Sequence, residues 1–129
     1  GPLDLTTIRD CESGALHHFA AEVRKRELHP VSCMRYRRAA FFMLSAEESV
    51  RVTVDRDIHV ASASQWSLTG RNLMPIDPEL SILEIKTPTV IPVQLRSLIA
   101  ELDLVPAPIS KFRLGITHLF DQGLERKDA

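Results

Sequence analysis

Apolar and polar residues alternate along three stretches of the chain, at positions 32–40, 50–58 and 82–86. Successive side chains of a β-strand point to opposite faces, so this alternation predicts three half-buried strands. Their polar face is unusual because it carries long ionisable side chains of both signs. It comprises Tyr36 and Arg38 on the first strand, Arg51, Thr53, Asp55 and Asp57 on the second, and Glu84 and Lys86, together with Ile82, on the third.

The alternate positions of the same stretches predict an apolar, buried face. This face comprises Val50, Val52, Val54 and Ile58 on the second strand and Leu83 and Ile85 on the third. The first strand is expected to continue to about Leu44. Residues 41–44 are apolar at every position, which predicts that they are buried on both sides. A polar hairpin connection is expected at 45–49, and the segment 61–74 is ambiguous, with a further short strand as one option.

Helical spacing replaces the alternation in three other segments. Before the strands, an apolar stripe with i, i+3, i+4, i+7 spacing predicts a helix that begins after Gly14 and ends by Leu28, because Pro30 disfavours helix at the residue before it. Residues 1–14 are a polar lead-in, with a short strand as an option at 3–8. After the strands, Pro92 suits the first turn of a second helix, which ends before Pro106.

A third helix is predicted over residues 111–120. Ser110 is a suitable N-cap for it, because a serine hydroxyl can accept a hydrogen bond from a free backbone N–H of the first turn. Gly115 lies inside this helix at a cost of about 1 kcal/mol relative to alanine, which close packing against a neighbour would explain. The tail from Asp121 is polar and is expected to fray.

The charged strand face has two interpretations. It is either a solvated outer surface, as most charged strand faces are, or the lining of a pocket formed by a curled sheet. Arginines and a lysine beside one carboxylate would suit a polyanion with a divalent cation. A guanidinium matches the geometry of phosphate oxygens, and a carboxylate can hold Mg²⁺ or Mn²⁺.

Composition narrows the choice of function. The chain has 129 residues, 44% apolar and 26% charged, which is typical of a single globular domain. Its net charge of −1 gives no general basicity, and its aromatic residues are few, so no nucleic-acid partner is expected. Two cysteines define neither a metal site nor a disulfide framework. No apolar stretch is long enough to span a membrane, so we expect a soluble chain. The expected location is cytoplasmic, with membrane association through regions outside this sequence as the alternative.

Several familiar catalytic patterns are missing from the sequence. No glycine-rich phosphate loop precedes a helix, and no serine, histidine and aspartate fall in a recognisable nucleophile setting. The five histidines are scattered, and the pair at 17–18 points in two directions, which makes it a poor chelate. The charged strands therefore carry the candidate chemistry.

Four sequence blocks occur in an order and spacing that resemble a known family. They are YRRAAF at 36–41, VRVTVDRDI at 50–58, LEIK at 83–86 and SKFRLGI at 110–116. The family is the VTC domain, the polyphosphate polymerase domain of the vacuolar transporter chaperone type, within the triphosphate tunnel metalloenzyme superfamily. The resemblance implies an α+β fold with an antiparallel, strongly curved sheet and helices packed on its apolar outer side. The charged face would line a tunnel.

The resemblance also implies roles for individual residues. It assigns phosphate binding to Tyr36, Arg38, Arg51, Lys86 and Lys111, of which the last four are also the candidate catalytic residues. Glu84 corresponds to the acidic ligand that brings Mn²⁺ or Mg²⁺ to the phosphates. The alternation supports the placement of Arg38, Arg51, Glu84 and Lys86, because each lies on the polar face of its strand.

The implied activity is phosphoryl transfer from a nucleoside triphosphate to polyphosphate, with a non-catalytic polyanion-binding or structural domain as the alternative. The chain resembles only the C-terminal half of the family domain. It is therefore expected to be one partial domain, with a lead-in and helix at 1–30, tunnel strands at 31–86 and C-terminal helices at 87–129. About half of the tunnel barrel would be present, and the expected partner is a complementary half-domain or a second copy of the chain.

Overall fold

The structure, a computed structural model, describes residues 14–44, 49–63 and 72–125. These residues form an α+β fold with one four-stranded antiparallel sheet and three helices. The strands are β1 (Ser32–Leu44), β2 (Ser49–Ser62), β3 (Met74–Pro75) and β4 (Ile82–Lys86). The helices are α1 (Gly14–Lys25), α2 (Val93–Glu101) and α3 (Lys111–Glu125).

Strand β2 is the centre of the sheet. Strand β1 pairs along one side of it over almost its whole length, and β4 and β3 pair with successive parts of its other side. Ladder hydrogen bonds on both sides hold β2 in place, so its side chains provide the reference positions for the rest of the sheet. The predictions for β1, β2 and β4 are confirmed. Strand β3 was not predicted, because two residues that include Pro75 give no alternation to detect.

All three predicted helices are present. Ser110 accepts a hydrogen bond from the backbone N–H of Arg113 at 3.3 Å, which confirms its capping role. Helix α3 is longer than predicted and continues to Glu125, so the expected fraying from Asp121 is wrong. No proline follows Phe120, and the leucine and glutamate near the helix end favour helix, so nothing in the sequence stops it there.

A β-bulge in β2 changes which side chains of the strand share a face. On β1 the register advances two residues from Arg35 to Arg37, while on β2 it advances three, from His59 to Arg56. The extra residue lies on β2, where Asp57 adopts a left-handed backbone with φ of 51°. Aspartate is one of the few non-glycine residues that adopt this conformation readily. Such a bulge moves every later residue of the strand to the opposite face.

The bulge corrects two sequence predictions. Arg38 and Asp55 are paired across the strands, and so are Met34 and Val60 beyond the bulge. Residues two apart on β1 share a face, so Val60, and Ile58 with it, share the face of Asp55. Ile58 was predicted on the opposite face and Asp57 on the polar face, and both predictions are wrong because the alternation does not continue through the bulge.

Helix α3 packs on the charged face of the sheet. A Cβ atom placed on Gly115 would lie 3.1 Å from both the Met34 sulfur and a methyl carbon of Val60, which confirms the predicted close approach of this helix to a neighbour. Met34 and Val60 share their face with Arg38 and Asp55. The prediction that the helices pack on the apolar outer side is therefore wrong for α3. Local periodicity reports which helix face is apolar but not which sheet face it meets.

The opposite sheet face is less covered than predicted near the β1–β2 hairpin. Phe41 lies on this face and is 59% exposed, and Phe42 on the charged face is 66% exposed. Their predicted burial is wrong, because none of the described residues covers this end of β1. The sheet is neither closed nor strongly curled over the described residues, so the half-barrel stays a prediction. The optional strand at 3–8 lies outside the described residues, as do the hairpin residues 45–48 and the segment 64–71.

Candidate functional site

A buried carboxylate lies between two cations on the charged face. Asp55 on β2 has no exposed surface, and its cross-strand partner on β1 is Arg38. The Arg38 guanidinium donates two parallel hydrogen bonds to it, from Nε to Oδ1 at 2.6 Å and from Nη2 to Oδ2 at 2.8 Å. This bidentate arrangement is the strongest and most directional form of an arginine–carboxylate pair.

A second cation reaches the same carboxylate from α3. The Lys111 Nζ atom lies 2.7 Å from Oδ2 of Asp55, and only 22% of the lysine side chain is exposed. Lys111 is the first residue of α3, directly after the N-cap Ser110. The helix cap and the contact of Gly115 with the sheet therefore fix where this lysine enters the face.

An aromatic ring completes this group. Tyr36 lies two residues from Arg38 on the same face of β1, and its ring centroid is 5.3 Å from the guanidinium carbon of Arg38 and 5.3 Å from Nζ of Lys111. Both distances are within the range of cation–π attraction. The ring therefore lies against both cations and limits their orientations.

The charges of this group shift each other's proton affinities. The hydrogen bonds from Arg38 lower the pKa of Asp55 from 3.8 to about 2, and Lys111 adds to that effect while burial opposes it. The hydrogen bond to Asp55 in turn raises the pKa of Arg38 above its already high value. Asp55 is consequently ionised, and Arg38 protonated, throughout the physiological pH range.

Two further basic residues lie on the same face beyond Thr53. Arg51 on β2 and Lys86 on β4 are directly opposed across the strands, and Thr53 is likewise opposed to Glu84. The Lys86 ammonium lies 3.3 Å from a carboxylate oxygen of Glu84. We call the surface formed by these side chains the basic face. It comprises Tyr36, Arg38, Arg51, Thr53, Asp55, Glu84, Lys86 and Lys111.

Thr53 contributes a buried hydroxyl without a partner. It is 2% exposed, and its Oγ1 atom has no hydrogen-bond partner within the part of the chain that the structure describes. A buried hydroxyl without a partner costs free energy, so such groups are uncommon in folded proteins. This one lies between Arg51 and Asp55 along β2, in the middle of the basic face.

The donor set limits how a metal ion could be held. No group of three or more histidine, cysteine, aspartate or glutamate residues is arranged for a metal ion among the described residues. Both oxygens of Asp55 are engaged by Arg38 and Lys111, which leaves Glu84 as the carboxylate of the basic face with the freer oxygens. A single carboxylate fits a Mg²⁺ or Mn²⁺ ion that is also held by ligand phosphates, but not a site built of protein ligands alone.

The structure thus brings the residues predicted from the sequence onto one sheet face. Arg38, Lys111 and Tyr36 form one group around Asp55, and Arg51, Lys86 and Glu84 lie further along. Sequence reasoning placed Asp55 and Thr53 on this face but gave neither a role. The identity of the residue opposite Arg38 would have pointed to Asp55, but that identity depends on the strand register.

The fold and the site together indicate the general class of this protein. This is an α+β domain in which one face of an antiparallel sheet is basic and is partly covered by a helix that contributes its own lysine. The family model of the VTC domain matches residues 7–120, and the chain belongs to this family. Membership suggests a polyphosphate-related function. No curated protein matches the chain, and no solved structure matches it.

No helix in the described part of the chain has the length and apolar character needed to cross a bilayer.

Proposed function

We propose that the basic face binds the phosphates of a polyphosphate chain or a nucleoside triphosphate. The observation that carries this proposal is the direct opposition of Arg51 and Lys86 on neighbouring strands. Like charges directly opposite each other destabilise a sheet, and the ion pair of Lys86 with Glu84 offsets only part of that repulsion. A phosphate group between the two cations would turn the repulsion into attraction.

The local charge balance supports the same proposal. The chain as a whole has a net charge of −1, yet its basic face holds four cations, from Arg38, Arg51, Lys86 and Lys111, against two carboxylates. Positive charge is therefore concentrated on this face, and α3 partly covers it at Arg38 and Lys111. In such a partly covered place, charge-assisted hydrogen bonds to phosphate are stronger than on an open surface.

The proposed reaction is transfer of a phosphoryl group from a nucleoside triphosphate to polyphosphate. Catalysis of this reaction consists mostly of positioning and neutralising the phosphates. Arg38 and Lys111 would hold phosphate oxygens at one end of the face, and Arg51 and Lys86 would hold them at the other. Glu84 would hold a Mg²⁺ or Mn²⁺ ion together with the phosphates, and that ion would supply further charge neutralisation.

Binding is tested by calorimetric titration with tripolyphosphate. Arg51→Ala and Lys86→Ala should each weaken binding about tenfold or more, the scale expected when one charge-assisted hydrogen bond is lost. Arg35→Ala and Arg37→Ala are the matched controls, since both lie on the opposite sheet face, and they should change affinity little. Equal losses in all four variants would mean that only general charge matters and would refute the placement of the ligand.

Turnover is tested separately from binding. The protein is incubated with a nucleoside triphosphate and Mn²⁺, and the products are examined for polyphosphate and nucleoside diphosphate. Metal-dependent product that Lys86→Ala abolishes would support phosphoryl transfer. Tight tripolyphosphate binding without product would instead support the alternative of a polyanion-binding domain.

We also propose that the sheet is completed by a complementary half-domain or a second copy of the chain. Strand β1 has thirteen residues and pairs only with β2 among the described residues, so its outer edge offers backbone groups for pairing. Size-exclusion chromatography with light scattering, with and without tripolyphosphate and Mn²⁺, tests the second copy. A monomer under all conditions would exclude the second copy.

The cytoplasmic location stays a prediction.

A further inference from the structure

The basic face holds an anion between two of its cations, where a face built only to attract phosphate would hold none. Asp55 is completely buried. Its two oxygens accept hydrogen bonds from Arg38, and one of them also forms an ion pair with Lys111. We infer that Asp55 is a positioning residue for the phosphate ligand, which fixes these two cations so that their remaining donors are available to phosphate. This inference rests on the proposed function.

The hydrogen-bond inventory leaves enough donors for a ligand. A guanidinium carries five N–H donors, and Arg38 uses two of them on Asp55, so three remain. An ammonium carries three donors, and Lys111 directs one at the same carboxylate, so two remain. Asp55 therefore occupies one side of each cation and leaves the majority of the donors for phosphate oxygens.

Fixing these donors matters because both side chains are long. A free arginine or lysine populates many rotamers, and immobilising it on a ligand costs affinity. Arg38 comes from β1, Asp55 from β2 and Lys111 from α3, so the carboxylate connects three elements. It also keeps apart two cations that would otherwise repel each other beside the ring of Tyr36.

Two other roles for Asp55 give different expectations. If the carboxylate only lowers the positive charge of the face, its removal should tighten the binding of an anion. If it is a competitor that phosphate displaces, its removal should also tighten binding. A positioning role predicts the opposite sign, because the gain in positive charge does not compensate for the lost orientation of two donors.

The test compares tripolyphosphate affinity in the native chain and three variants. Asp55→Asn should weaken binding about tenfold or more, which is the loss known for residues that orient the ligands of a metal ion through hydrogen bonds. Asp57→Asn is the matched control, because it removes the same charge from the same strand at a half-exposed position paired with Arg37 on the other face. It should change affinity by less than about twofold, as expected for a surface ion pair.

A third variant separates positioning from general destabilisation. Val50→Ala removes buried apolar surface at the other end of β2, at a residue 2% exposed, and lowers stability without touching the cluster. Measured well below its unfolding temperature, it should bind as the native chain does. Affinity in Asp55→Asn equal to or above the native value would overturn the inference, and so would an equal loss in Val50→Ala.

A second measurement uses the native chain and does not depend on whether Asp55→Asn folds. In NMR spectra, the Arg38 Nε–H should exchange slowly with solvent, because it is bound to Asp55 at 2.6 Å, and it should stay protected when tripolyphosphate is added. Loss of protection on ligand addition would mean that phosphate displaces the carboxylate, which overturns the inference. No tripolyphosphate affinity in the native chain would instead remove the proposed function itself, and the ligand role of Asp55 with it.

Discussion

The pairing of Asp55 with Arg38 and Lys111 predicts a specific dependence of stability on pH. The perturbation is Asp55→Asn, which keeps the side-chain shape and removes the titrating group. Because the two cations lower the pKa of Asp55 in the folded protein, the ionised carboxylate stabilises the fold. That stabilisation is complete well above pH 3.8, the ordinary pKa in the unfolded chain, and it is lost as the pH falls towards 2.

The magnitude follows from the two pKa values. A change in pKa from 3.8 to about 2 corresponds to a contribution of about 2 kcal/mol at neutral pH, since each pKa unit is worth about 1.4 kcal/mol. About half of that contribution should be gone at pH 3 and most of it at pH 2. Asp55 is the carboxylate of this cluster, and the pH dependence is therefore assigned to it.

The assay is urea unfolding of the native chain and Asp55→Asn at pH 7, 5, 4, 3 and 2. The difference in unfolding free energy between the two proteins should narrow by about 2 kcal/mol from the highest pH to the lowest. The other ionisable groups are present in both proteins, so their contributions cancel in this difference. A difference for Asp55→Asn that stays constant from pH 7 to pH 2 would refute the reasoning, because the buried ion pairs would then contribute nothing that depends on ionisation.

Three other predictions, two of them with a control substitution, concern a buried hydroxyl, the packing of α3 and its cap, and are tested by thermal or urea unfolding. Thr53→Val should stabilise the ligand-free protein by about 1 kcal/mol, because it removes a buried hydroxyl without a partner; destabilisation would show that the hydroxyl is satisfied. Gly115→Ala should cost about 1 kcal/mol despite the better helix propensity of alanine, since its Cβ would meet the sheet at 3.1 Å. Gly123→Ala on the same helix meets nothing within 4 Å and should be neutral or stabilising, so stabilisation by both alanines would contradict the close packing. Ser110→Ala should lose about 1 kcal/mol with its cap hydrogen bond to the N–H of Arg113, and Ser110→Thr should keep most of it.

Periodicity predicted the elements of this fold well and its layers less well. The three longer strands and the three helices follow from the spacing of apolar residues, because strand and helix periods are local properties of the chain. The shared face of Arg38, Arg51, Glu84 and Lys86 was also predictable, since all four lie where strict alternation holds.

The failures have physical causes that lie outside local spacing. An aspartate in a left-handed conformation gives no sequence signal as strong as a glycine, so the bulge at Asp57 was missed and the faces of Asp57 and Ile58 were misassigned. Which sheet face receives α3 depends on how Met34 and Val60 meet Gly115, a contact between distant parts of the chain. The partner of Arg38 likewise depends on the strand register.

The bulge at Asp57 has a consequence for how the chain tolerates changes in length. One face of β2 is polar up to Asp55 and apolar at Ile58 and Val60, and a single additional residue produces that transition. Deleting Asp57 would move Val60, which α3 approaches at Gly115, to the other face of the sheet and would separate Lys111 from Asp55. In β2, therefore, conservative replacements should be tolerated more easily than a deletion or insertion of one residue. A deletion or insertion of two residues preserves which side chains share a face, so it should be tolerated more easily than a change of one residue. The number of residues in β2 is therefore more constrained than the identity of each residue.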